Sequence, residues 1–151
     1  MQLANQLYTV CVRQERGHCS ISYTEAGSGA WRLGGQSPAP ASLTSGAYLG
    51  DSCQEDWVGI PGAGDTAGAA TNYDRFCGDR LNLDATSPSP ATIYTQVTPY
   101  RSHEQILAEC FALNDTCRLL VNFDGTELDS PPTPSSEFSK GFSIYYSQIS
   151  C

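Results

Sequence analysis

Apolar and polar residues alternate with a period of two over several short stretches of the chain. In residues 117–123, CRLLVNF, the side chains of Leu119, Val121 and Phe123 fall on one face, which predicts a strand with one buried side. Two shorter stretches with the same character are DWVGI at 56–60 and ATIYTQV at 91–97. The pattern therefore predicts several short, half-buried β-strands.

Two further stretches extend this pattern towards both ends of the chain. In VCVRQERGHCSISYT, residues 10–24, a polar segment lies between two runs rich in β-branched and aromatic residues, which predicts a hairpin. In GFSIYYSQI, residues 141–149, Phe142 and Ile144 share a face with Tyr146. We therefore expect Tyr146 in the core and Tyr145 on the surface.

Clusters of Gly, Pro, Ser and Asn separate the predicted strands and argue against long helices. The one candidate helix is residues 100–113, where Ile106, Leu107, Cys110 and Leu113 fall on one face, although a decorated loop fits equally well. Half-apolar strands must bury one face against a second sheet. The fold class is therefore all-β, an antiparallel β-sandwich, with Greek-key or jelly-roll wiring left open.

The length of 151 residues is that of one domain, so residues 1–151 are treated as a single unit. No apolar run is long enough to span a membrane. The first residues, MQLANQLYTVC, lack the basic and apolar regions of a signal peptide. We expect this sequence to be a fragment of a longer secreted chain.

The net charge is −8, and the few basic residues are scattered along the chain. Binding to nucleic acid or to an anionic membrane surface requires clustered cations, so both are disfavoured. Calcium ions, basic proteins and basic peptides are the partners that this charge permits.

Seven cysteines are the most informative feature of the composition. No CxxC pair exists, and His18 and His103 do not complete a zinc ligand set. Disulfides in an oxidising compartment are the better interpretation. The sequon at Asn114 agrees with a glycoprotein of the secretory pathway.

The spacing of the cysteines suggests three pairs. A bridge between Cys53 and Cys77 would tether a strand to a loop and stabilise the fold by roughly 3 to 4 kcal/mol. Cys11 and Cys19 flank the predicted hairpin turn and can form a cross-strand pair. Cys110 and Cys117 bracket the sequon. Cys151 is left unpaired, or is available for an intermolecular link.

Three segments resemble the CUB domain in the correct order. CQEDWVGI at 53–60 is similar to the CUB pattern of Cys, two residues, Asp and a short apolar run, and RFCG at 75–78 is similar to its bridged Phe-Cys-Gly. KGFSIYY at 140–146 resembles its closing strand, and CVRQERGHCSISY, DRFCG and YYSQISC resemble the variant CUB domains of arthropod secreted proteins. The resemblance covers residues 8–151. It departs from the family in the Cys11–Cys19 pair, an additional 110–117 loop and enlarged loops at 34–50, 61–72 and 126–139.

The resemblance implies a jelly-roll sandwich of about ten strands that acts as an extracellular binding module. It also implies a calcium site in which Asp56 matches one ligand position and Asp124 another, with Glu127 as a competitor for the second. A further glutamate of the family is missing, because only Asp51 precedes Cys53 in this region. As an alternative to metal binding, Asp56 and Asp124 can be solvated or turn-capping carboxylates.

Nothing in the sequence indicates an enzyme. Only His18 and His103 are available as bases, and no GxSxG, HExxH or phosphate-binding glycine loop is present. We therefore expect a secreted, non-catalytic recognition or adhesion module whose partner is a protein that offers a basic residue. A targeting domain for an attached protease is one alternative. A matrix component that oligomerises through Cys151 is another, and glycan binding is a third.

Overall fold

The computed structural model describes residues 5–13, 15–34, 47–65, 71, 73–96, 118–124 and 141–150. Within these ranges the regular structure is β-strand, apart from one 3-10 turn at Gly50–Ser52. The strands are β1 (Gln6–Cys11), β2 (His18–Glu25), β3 (Trp31–Arg32), β4 (Ala47–Leu49), β5 (Trp57–Gly59), β6 (Ala63–Gly64), β7 (Arg75–Gly78), β8 (Ile93–Gln96), β9 (Arg118–Phe123), β10 (Gly141–Phe142) and β11 (Ile144–Ser150). The all-β prediction is confirmed.

The strands form two main sheets that pack on one core. The first sheet has the order β1-β9-β5-β7-β4, the second has the order β11-β2-β8-β6, and β3 pairs with β10 as a short ribbon. All pairings among the described strands are antiparallel. Successive strands often lie in different sheets, as in a jelly roll, so the predicted antiparallel sandwich is confirmed.

The period-two pattern of β9 places its apolar face in the core. Leu119, Val121 and Phe123 are buried, and they belong to one cluster with Ile21 and Ile93 from the opposite sheet. Val121 lies opposite Val58 of β5, which has no exposed surface. Alternation along the strand therefore decides which side chains close the sandwich.

The chain passes from one sheet to the other in a tight turn after β5. The N–H of Ala63 donates to the carbonyl oxygen of Ile60 at 3.2 Å, and Gly62 takes a φ of +69°, which favours glycine. Ala63 then pairs with Thr95 of β8 in the second sheet. Both Ile60 and Ala63 are buried, so this crossing is itself part of the core.

The predicted hairpin over residues 10–24 is wrong. β1 pairs with β9 in the first sheet, whereas β2 pairs with β11 and β8 in the second. The polar segment between them is therefore a link between sheets. Gln148 of β11 holds this link, because its side chain donates to the carbonyl oxygen of Arg13 and accepts from the N–H of Glu15.

The placement of Tyr146 also differs from the expectation. Tyr146 lies opposite Tyr23, which is buried, and it therefore shares the inward-facing side of its sheet. Its side chain is nevertheless 58% exposed. β11 is an edge strand of the second sheet, and side chains on edge strands are covered less completely than those on central strands. Tyr145 is exposed, as expected.

Several predicted features lie outside the described residues. These are the candidate helix at 100–113, the 110–117 loop and the 126–139 loop, together with most of the enlarged loops at 34–50 and 61–72.

The residues Phe76, Cys77 and Gly78 fix β7 in three different ways. Phe76 is buried in the core, and Cys77, on the opposite face of the strand, bonds to Cys53 with a Cα–Cα distance of 5.7 Å. Gly78, with a φ of +94°, exchanges two backbone hydrogen bonds with Leu33 at 2.9 and 2.8 Å. The predicted Cys53–Cys77 bridge is confirmed, and it holds the loop before β5 against β7 through two fully buried cysteines.

Replacing Cys53 and Cys77 together by alanine tests the contribution of this bridge. We expect the free energy of unfolding in urea to fall by about 3 to 4 kcal/mol, because the unfolded chain loses a closed loop of about 25 residues. A loss below about 1 kcal/mol would contradict a main role for the bridge in stability.

Candidate functional site

One end of the first sheet gathers three carboxylates from two chain segments. Glu55 and Asp56 immediately precede β5, and Asp124 immediately follows β9. β5 and β9 are antiparallel neighbours with Trp57 opposite Asn122, so these segments meet at the same end. The two residues predicted as calcium ligands, Asp56 and Asp124, are therefore brought together.

Asp56 is buried, with 2% of its surface exposed. Its Oδ1 accepts a hydrogen bond from the N–H of Asp124 at 3.0 Å. The carbonyl oxygen of Asp124 in turn accepts from the N–H of Asn5 at 2.9 Å, which joins this end to β1. The buried carboxylate of Asp56 therefore has a structural function, because its hydrogen bond with the backbone of Asp124 fixes the end of β9.

Negative charge accumulates at this end. Glu55 is an exposed residue, but partial desolvation of its carboxyl raises its pKa above the ordinary value, and the nearby charges of Asp124 and Asp56 raise it further. The backbone of Glu55 is held in place, because its carbonyl oxygen accepts from the side-chain amide of Asn122 at 2.6 Å. The sequence did not point to Glu55, since adjacent residues on a strand face opposite sides. Its electrostatic contact with Asp124 arises only from the pairing of β5 with β9.

The described residues alone do not complete a metal site. Among them, no group of three or more His, Cys, Asp or Glu side chains lies close enough to hold a metal ion. Asp51 lies in the exposed 3-10 turn at Gly50–Ser52, and Glu127 is outside the described residues. Calcium binding by Asp56 and Asp124 therefore stays a prediction.

The remaining predicted site residues have different outcomes. Cys11 and Cys19 are both disulfide-bonded, but they lie in strands of different sheets, so the predicted hairpin gives no support to a bond between them. Their pairing with each other stays a prediction. Cys110, Cys117, Cys151 and the sequon residue Asn114 lie outside the described residues.

Two edge strands, β1 and β11, carry apolar side chains and no charged residue. β1 is an edge of the first sheet and β11 an edge of the second. Their exposed apolar residues are Leu7, Tyr8, Val10, Tyr145, Tyr146 and Ile149. Edge strands normally carry charges or proline that prevent association, and neither strand carries them.

The fold and the covalent framework agree with the result of comparison with known families. The model of the animal CUB domain matches residues 1–149, which is essentially the whole chain. The protein is therefore a member of the CUB domain family. No curated protein and no solved structure matches the chain.

Membership of the family carries a general function. CUB domains are generally extracellular modules of protein interaction, and they are typically non-catalytic. In the part of the chain that the structure describes, no helix is long and apolar enough to cross a membrane.

The pH dependence of stability tests the charge at the acidic end. Folding raises the pKa of Glu55, so the stabilising effect of its proton is complete below the ordinary value near 4.5 and is lost as the pH rises through the folded value. We therefore expect Glu55→Gln to raise the unfolding temperature at pH 7 and to have little effect near pH 3.

The matched control is Glu15→Gln, which changes an exposed glutamate in the link between β1 and β2. It should leave the unfolding temperature nearly unchanged at both pH values. Thermal unfolding of both variants is measured at the two pH values. If both variants respond equally, the neighbouring carboxylates do not act on Glu55.

Proposed function

We propose that this chain is an extracellular recognition module that binds a protein partner through basic residues of that partner. The observation that carries the proposal is the match of residues 1–149 to the animal CUB domain. The partner chemistry follows from the net charge of −8 and from the acidic end at Glu55, Asp56 and Asp124. Basic groups are attracted to such a surface and are oriented by it.

The design of the fold supports a binding rather than a catalytic role. The Cys53–Cys77 bridge and the Asp56–Asp124 hydrogen bond hold the acidic end in a fixed arrangement. A preformed surface loses little conformational entropy when a partner binds. His18, one of the two candidate bases, lies in β2 within the second sheet, and the other, His103, is outside the described residues.

Capture of extracellular ectodomains by the purified domain tests the proposal. We expect saturable binding to at least one basic ectodomain. Raising sodium chloride from about 0.1 M to about 1 M should weaken the binding, because the Debye length shortens from about 10 Å to about 3 Å. The dissociation constant is measured by surface plasmon resonance.

The control for correct folding is the protein in which Cys53 and Cys77 are both alanine, which should bind less.

Enzymatic removal of glycans from the ectodomain separates two modes of recognition. Binding that disappears with the glycans would contradict a protein partner and favour the glycan alternative.

Calcium is a second element of the proposal. Asp56 and Asp124 would supply charged oxygen ligands from two segments, and Glu55 adds negative charge beside them. Desolvation and the repulsion from Asp124 and Asp56 raise the pKa of Glu55, and a cation would relieve the repulsion. Bound calcium would hold the two segments together at the partner-binding end.

Isothermal calorimetry with Asp56→Asn tests this element. The asparagine keeps an oxygen that accepts from the N–H of Asp124, so this hydrogen bond is kept while the charge is lost. We expect the parent protein to bind calcium with a dissociation constant of about 0.1 to 1 mM. Asp56→Asn should bind at least about tenfold more weakly, whereas Glu15→Gln should bind normally. Absence of heat in the parent, or equal heat in Asp56→Asn, would discard the assignment.

Two alternative roles concern the longer chain. A protease segment in that chain would favour a targeting domain for a hydrolase. A covalent oligomer that dissociates on reduction would favour a matrix role that uses Cys151.

A further inference from the structure

A cavity opens at the end of β2, apart from the three carboxylates described above. Its volume is about 470 Å³, which lies in the range of small-ligand sites. One wall is formed by the end of β2 and the turn 26–30, and the other by residues 79–80 and 88–92. Charged side chains in the lining are Glu25, Asp79 and Arg80.

Both walls of the cavity are held by hydrogen bonds. The turn 26–30 is fixed to the chain between β10 and β11, because Ser143 accepts from the N–H of Ala26 at 2.9 Å and donates to the carbonyl oxygen of Ala30 at 2.6 Å. In the facing wall, the side chain of Asn82 donates to the carbonyl oxygen of Ser89 at 2.6 Å. The cavity is therefore formed before any ligand arrives.

The two walls also meet through their side chains. The hydroxyl groups of Thr24 and Thr92 are hydrogen-bonded at 2.9 Å, which joins β2 to the facing wall. Within that wall, the backbone N–H of Ala91 donates to the carbonyl oxygen of Leu81 at 2.8 Å. Preformed walls reduce the entropy cost of binding.

Glu25 gives the cavity its chemical character. It is 9% exposed and lines the cavity, and its Oε1 accepts from the N–H of Leu81 at 2.6 Å. Burial raises the pKa of Glu25 above its ordinary value, and the Leu81 hydrogen bond and the charge of Arg80 offset only part of this effect. A carboxylate can accept several hydrogen bonds, so Glu25 retains capacity for a further donor.

The cations near the cavity are already engaged by other groups. The guanidinium of Arg80 donates to the carbonyl oxygen of Ser87 at 3.0 Å, and Arg32 pairs with Asp79 at 3.5 Å. Among the described residues, no lysine or arginine forms a salt bridge with Glu25. The charge of Arg80 and the Leu81 hydrogen bond act on Glu25 but offset only part of the effect of its burial.

We propose that this cavity binds a basic side chain of a partner protein, with the ammonium or guanidinium group held against the Glu25 carboxylate. The proposal rests on the proposed function in taking the ligand from a protein. It adds a second contact point that does not depend on calcium. A cation at this position would donate to Glu25 and reduce the unfavourable effect of its burial.

Amide chemical shifts in ¹⁵N-labelled protein test the proposal with small probes. The probes are N-acetyl-lysine methylamide and its arginine counterpart, and the neutral comparison is N-acetyl-norleucine methylamide. We expect at least one basic probe to shift the amides of Gly27, Gly29 and Thr92 saturably, with a dissociation constant of about 10 mM. The norleucine compound should produce no saturable shift.

Two variants of the cavity should change this binding in opposite directions. Glu25→Gln keeps an oxygen for the N–H of Leu81 and should weaken binding of the basic probe about tenfold. Arg80→Gln removes a repelling charge and should strengthen it about threefold. Glu15→Gln should leave it unchanged. If Glu25→Gln does not fold, binding of the basic probe by Arg80→Gln still tests the proposal.

Four outcomes would overturn the proposal. They are the absence of a saturable shift with both basic probes, equal binding by Glu25→Gln, weaker binding by Arg80→Gln, and a site that takes up acetate instead. None of these results would affect the capture of ectodomains, which samples the whole surface of the domain. The experiments therefore distinguish a failure of the cavity proposal, seen in probe binding, from a failure of the proposed function, seen in the capture of ectodomains.

Discussion

The covalent bond between Cys53 and Cys77 is the constraint around which the first sheet is arranged. It joins the loop before β5, the central strand of that sheet, to β7. Because side chains alternate across a strand, Phe76 and Cys77 lie on opposite faces of β7, and both are buried. The two cysteines belong to the same buried cluster as Phe76 and Val58, so the covalent bond and hydrophobic packing hold the same strands together.

This arrangement also positions the acidic end. Asp56 lies between Cys53 and the first residue of β5, so the loop that carries it is anchored on both sides. Its buried carboxylate then holds Asp124 at the end of β9 through a backbone hydrogen bond. The accumulation of charge around Glu55 is a consequence of strand pairing, since its neighbour Asp124 is remote in sequence.

The sequence predicted the parts of this structure that depend on local pattern. The alternation in residues 117–123 identified β9 and its buried face, and the segments around Cys53 and Cys77 identified the bridge. The hairpin over residues 10–24 failed because a polar break between two apolar runs does not reveal whether the runs share a sheet. Tyr146 lies on the inward-facing side of its strand, as the alternation predicts. Periodicity does not show that this strand is at the edge of its sheet, where such a side chain can remain exposed.

Glu25 could not be identified in the same way. A glutamate at the end of a strand is usually solvated, and nothing in the sequence places Leu81 or the turn 26–30 beside it. Its burial results from the meeting of segments that are distant along the chain. A candidate site that depends on such burial can therefore be identified only in the folded structure. A site that depends on the spacing of a motif can be identified in the sequence.

The positions of the two edge strands determine how the domain would respond to a pulling force. The chain enters β1 at the end of the sandwich that holds Asp124, and it leaves β11 at the opposite end, where Ser150 lies beside His18. Tension applied to both ends of a longer chain would therefore pull β1 along β9 and β11 along β2, so that each hydrogen-bonded ladder is loaded in shear along its length. The Cys53–Cys77 bond lies outside both ladders, and it would keep the centre of the first sheet intact after its edge strand had slipped.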